Sequence, residues 1–170
     1  YEEFKNQSFG ETFHGVPTGI YIIDGDTPAN GEERLRQFYA NYLNSMRSKL
    51  EASQSNISFS IVSYVNALPN TWGATQKLQL SYCISDEFGL QKPAVILAMA
   101  QATGEWMSAA NVSYTYSSSE DFNCTPLNTN VVFDVRRTSD QVYLSRAFFP
   151  NDLRSVRSIM IDNKSFTVMP

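Results

Sequence analysis

Histidine is almost missing from this chain: His14 stands alone in 170 residues. Cysteine is nearly as scarce, with Cys83 and Cys124 only. These residues alone therefore cannot form a four-cysteine zinc framework or a three-histidine zinc site. His14 sits in Thr12-Phe13-His14-Gly15, a loop-like stretch, and reads as a solvated or capping side chain. There is no Gly-x-Ser-x-Gly elbow to present a nucleophilic serine. A phosphate-cradling glycine loop and a dinucleotide fingerprint are missing as well. No basic run exists, and the net charge is -4, which argues against a surface that tracks a nucleic-acid backbone. The longest apolar run, Ala94 to Ala100, falls well short of the ~18 residues a membrane-spanning helix needs.

What is present suits a folded chain. Hydrophobic residues make up 42% and charged residues 18%, enough apolar material for a core. The two cysteines allow one pairing, and they read either as a disulfide closing a long loop or as two buried thiols. Three carboxylate pairs occur, Asp24/Asp26, Asp86/Glu87 and Glu120/Asp121. All fall in turn-like segments, where acidic side chains hydrogen-bond locally.

Periodicity organises the chain. Gly19 to Ile23 reads as a strand, followed by a turn at Asp24-Gly25-Asp26-Thr27-Pro28. Leu35, Phe38, Tyr39, Tyr42, Leu43, Met46 and Leu50 recur at helical spacing across residues 31–52. Ile57 to Val65 alternates as a half-buried strand, and Leu78 to Ile84 alternates again. Pro69, Asn70 and Gly73 mark a linker and predict a boundary near residue 75. Pro93 opens a helix over 93–110, predicted to bury Ile96, Leu97, Ala100, Trp106 and Met107. Short strands are expected at Val112–Tyr116, Val131–Val135, Val142–Phe149 and Arg157–Asp162. The fold class that follows is α+β, with a mixed, mostly five-stranded twisted sheet, a long backing helix and an N-terminal strand/helix extension.

The order and spacing of these segments carry a resemblance. Leu78–Ser85, the helix Ala94 to Trp106, Asn111-Val112-Ser113-Tyr114, Val131 to Arg136, Tyr143 to Pro150 and Ile159-Met160-Ile161-Asp162 follow one another as in the N-terminal subdomain of metzincin zinc endopeptidases. The chain from Lys77 onward most resembles the bacterial dual-action HEIGH metallopeptidases and, more loosely, the matrixins. Residues 76–170 then correspond to the upper subdomain, and residues 1–75 to a pro-region. The resemblance implies a secreted or periplasmic parent enzyme whose zinc helix, His-Glu-x-x-His, lies beyond Pro170. It implies that Tyr143, Leu144, Ser145, Arg146 and Ala147 form the edge strand on which an extended peptide substrate pairs. Tyr21 to Asp26 resembles the astacin-type propeptide motif, which would make Asp26 a zymogen zinc ligand in the intact protein. Matrixins place a histidine where this chain has Arg146, so a second, structural zinc is not implied. An exposed apolar face on the sheet is expected, covered by the C-terminal subdomain or by a second copy. The competing expectation is a non-catalytic peptide- or protease-binding module of the same fold, without metal.

Overall fold

A computed structural model describes residues 1–13, 16–23, 27–51, 64–65, 68–139, 141 and 143–167. It divides the chain into two compact units, Tyr1–Pro69 and Asn70–Pro170.

The first unit holds helices α1 (Glu2–Gln7) and α2 (Gly31–Glu51). Its strands are β1 (Phe9–Phe13), β2 (Val16–Ile23), β3 (Thr27–Asn30), β4 (Tyr64–Val65) and β5 (Leu68–Pro69). Strands β1, β2 and β3 form an antiparallel sheet in chain order, and β4 pairs with β5. Two of the three sheet strands, β1 and β3, have no counterpart in the sequence prediction, because Gly, Thr and Pro in them mask the alternation. Thr27 and Pro28, read as turn, begin β3. Gly31 takes φ +79° where β3 gives way to α2, a conformation that suits glycine. Ile23, Ala29 and Leu35 make the core, with Tyr1, Phe4, Tyr21 and Phe38 packed around it. Tyr42 and Leu43, predicted on the same stripe of α2, are about half exposed, although the Tyr42 ring meets Phe4 at the rim of this cluster. Asp26, His14 and most of the strand predicted over 57–65 lie outside the described residues.

The second unit contains helix α3 (Lys92–Ala109). Its strands are β6 (Leu80–Ile84), β7 (Tyr114–Tyr116), β8 (Phe133–Thr138), β9 (Ser145–Arg146) and β10 (Ser158–Asp162). They make one five-stranded sheet in the order β7-β6-β8-β10-β9. All neighbours run parallel except β9, which is antiparallel to β10. Trp72 belongs to this unit, since it packs edge-on against Phe148 and lies under the Arg157 guanidinium.

One face of the sheet carries the apolar core: Leu80, Tyr82, Ile84, Phe133 and Val135, with Phe88 and Val95 above. Tyr116, Tyr82 and Phe133 stack across three adjacent strands, with ring centroids 5.5 and 5.3 Å apart. Helix α3 reaches this face through Val95 and Thr103, with Ile96 and Met99 half-buried. The Thr103 hydroxyl is satisfied by donating to the Met99 carbonyl at 2.8 Å. The predicted face of α3 is therefore wrong in part: Leu97 is 71% exposed and Trp106 62%, and Ala100 and Met107 are exposed too. A helix that is apolar all round gives periodicity nothing to select with. Among the described residues, the strands of this sheet leave no large apolar side chain exposed. Ile159 and Ile161 of β10, with Phe148 and Phe166, are half-buried against the core.

The other face is polar and covalently tied. Cys83 of β6 is bonded to Cys124, with Cα atoms 5.6 Å apart, and both are buried beside Val131. The bond holds the segment after β7 onto the sheet. Asp134 of β8, fully buried, receives Arg136 Nε at 2.7 Å and Arg154 Nη1 at 2.6 Å. Arg154 also donates to the carbonyls of Val131, at 2.8 Å, and Thr125, at 3.1 Å.

Two stability outcomes follow. Replacing both cysteines by alanine should cost up to about 4 kcal/mol, the loop-entropy estimate for a cross-link of this span. Urea unfolding checks it. Asp134→Asn strands two guanidinium groups beside a neutral amide and should cost about 3 kcal/mol or more by the same measurement.

Candidate functional site: the open edge of the sheet

One of the two outermost strands, β9, offers unpaired backbone. β9 pairs with β10 on one side only, Arg146 opposite Met160 and Ser145 opposite Ile161. The Asp162 amide donates to the Leu144 carbonyl at 2.8 Å. In an antiparallel ladder the hydrogen-bonded pairs alternate, so Leu144 and Arg146 turn their backbone groups toward β10. The N–H and C=O of Ser145 then face the open edge.

The five residues expected to pair with a peptide divide into two kinds. Tyr143 and Arg146 are buried, at 3% and 5% exposure, and act as anchors. Arg146 donates from Nη1 to the Ser158 carbonyl at 3.2 Å, which lets a guanidinium sit inside the sheet. Leu144, Ser145 and Ala147 are exposed. The strand is shorter than the predicted 142–149. Ladder pairing covers two residues, and Phe149 is diverted into a turn where its amide donates to Asp152 Oδ2 at 2.7 Å.

A second polar cluster lies beyond the ends of β6 and β7 and draws on two of the carboxylate pairs noted in the sequence. Lys92 Nζ touches Asp86 at 2.5 Å and Asp121 at 2.6 Å. Asp121 also accepts the Tyr116 hydroxyl and the Ile84 amide, the latter at 2.9 Å. The carboxylates of two predicted turns thus meet on one lysine, a convergence that spacing along the chain does not reveal. Burial would pull the Lys92 ammonium down, but its hydrogen bonds to Asp121 and Asp86 outweigh that and hold it above the usual lysine value. Burial, and then the Asp121 carboxylate, push the Tyr116 phenol well up. Both groups keep their protons at neutral pH, so the cluster is a brace rather than an acid–base pair. Among the described residues no three His, Cys, Asp or Glu side chains converge to hold a metal.

No family model, curated protein or solved structure matches this chain.

The brace has a pH signature. Lys92 and Tyr116 both bind their protons more tightly in the folded than in the unfolded chain. Their stabilisation is complete below the unfolded values, 10.5 and 10.0, and is lost as pH rises past them. Unfolding free energy measured across the alkaline range should fall above about pH 10, and more gently in Tyr116→Phe.

Proposed function

We propose that the chain from Lys77 onward is the substrate-pairing part of an exported metzincin-type zinc endopeptidase, with β9 as the strand on which an extended peptide adds. One observation carries this reading. The segment that the resemblance assigns to the edge, β9, is one of the two outermost strands of the sheet and its one antiparallel member, while β8, built from the Val131 to Arg136 segment of the resemblance, is central. Strand addition draws affinity from backbone hydrogen bonds, and Ser145 has the outward pair to give. Tyr143 and Arg146 hold the strand from within, and exposed Leu144 and Ala147 flank the guest.

The chain itself has one histidine, so the zinc set and the general base would come from sequence beyond Pro170. When bound there, zinc supplies the polarised water and carbonyl of peptide hydrolysis. Residues 1–75 stand as the pro-region in this reading, with Asp26 as the silencing carboxylate. The residues described here bind and orient the peptide.

A second reading is a peptide- or protease-binding module without chemistry. Among the described residues no large apolar side chain is exposed on the strands of this sheet, which suits such a module.

Reading the coding sequence past Pro170 separates the two. A His-Glu-x-x-His within about 30 residues, with one zinc per extended protein and loss of peptide hydrolysis when its glutamate becomes glutamine, supports the endopeptidase. A stop codon there sinks the endopeptidase. Peptide binding by the metal-free chain would then support the module.

A further inference from the structure

The open edge of β9 is held by a compact group of contacts from the turn that follows β10. Asp162, the last residue of β10, is fully buried. Its Oδ2 accepts the Gln141 amide at 2.9 Å and its Oδ1 accepts the Lys164 amide at 3.0 Å. Lys164 reaches back with Nζ to the Gln141 carbonyl. Gln141 is thereby gripped through both backbone groups, two residues before Tyr143. The Leu144 carbonyl is gripped as well, because it accepts the Asp162 amide at 2.8 Å and the Ser165 hydroxyl at 2.8 Å. Those two donors occupy both lone pairs of that oxygen.

Together these bonds leave β9 little freedom to rotate. With the Leu144 carbonyl doubly bound inward, the next peptide unit has to turn outward, and this fixes which residue meets a guest strand. We propose that Asp162 and Ser165 are positioning residues. They form a clamp that sets the register of strand addition at Ser145 and presents its N–H and C=O already oriented. Ser165 is the more informative member, because its hydroxyl donates directly to an edge-strand carbonyl and can be removed by a one-atom change. The inference rests on strand addition at β9, which both functional readings share. A preset edge lowers the ordering cost that a two-residue strand would otherwise impose on binding.

The test follows backbone amides by NMR in the isotope-labelled chain, with an acetylated and amidated hexapeptide of alternating threonine and valine as the probe. In the natural chain the Ser145 amide should shift saturably with peptide. Ser165→Ala should raise the dissociation constant about fivefold, the equivalent of one hydrogen bond, and Ser165→Thr should restore it. Hydrogen exchange of the β6 amides should stay unchanged in both variants, which separates positioning from general loosening of the fold. A Ser145 shift of the same affinity in Ser165→Ala overturns the clamp and leaves strand addition standing. No shift at Ser145 in the natural chain overturns strand addition, and the positioning role with it.

Discussion

Asp134 is a full negative charge with no exposure to solvent, in the middle strand of a five-stranded sheet. Such a charge is tolerated only when it is paired and hydrogen-bonded. The guanidinium groups of Arg136 and Arg154 do this, one on each carboxylate oxygen. Arg154 also donates to the carbonyls of Val131 and Thr125, and Arg136 donates to Ser158 Oγ. The segment before β8, the turn at 154–156 and the start of β10 are all referred to one carboxylate. The polar face of the sheet depends on that arrangement, and Cys83–Cys124 reinforces it covalently from the β6 side.

The two faces do different work. The apolar face stabilises through area: Leu80, Ile84 and Val135 are wholly buried, each worth about 1.5–3 kcal/mol. The polar face stabilises through specific pairings that fix where the loops lie. That difference extends to the edge. Arg146 and Asp162 are buried polar residues, and each uses its polarity to tie backbone from a neighbouring segment. An unpaired strand edge is a place where another chain can add. Here the edge is short, with buried anchors on one side and exposed backbone on the other.

Strand and helix positions in the second unit were largely legible, since β6, α3, β7, β8 and β10 sit within a few residues of their predicted places. Alternation and Pro93 were sufficient signals for that. In the first unit, β1 and β3 were invisible because Gly10 interrupts the one and Thr27, Pro28 and Asn30 of the other read as turn, and both are held extended by pairing with β2. The buried side of α3 was half-read, as Ala94 to Ala100 is apolar in every direction. The edge strand was legible in position but not in length, because Phe149 leaves the ladder for a turn closed by Asp152.

By itself the sequence determined the α+β class, the order of the elements from β6 to β10, and that one histidine cannot make a three-histidine zinc site. It limited the cysteines to one pairing, and tertiary structure decided that they are joined, by bringing Cys83 and Cys124 within reach across the polar face. Tertiary structure also decided that Asp86 and Asp121, far apart along the chain, share Lys92, and that Ser145 faces outward while Leu144 is clamped. The reason is the same in each case. Periodicity is a local property of the chain, whereas a hydrogen bond or ion pair between distant segments exists only once the sheet has set their distance and direction.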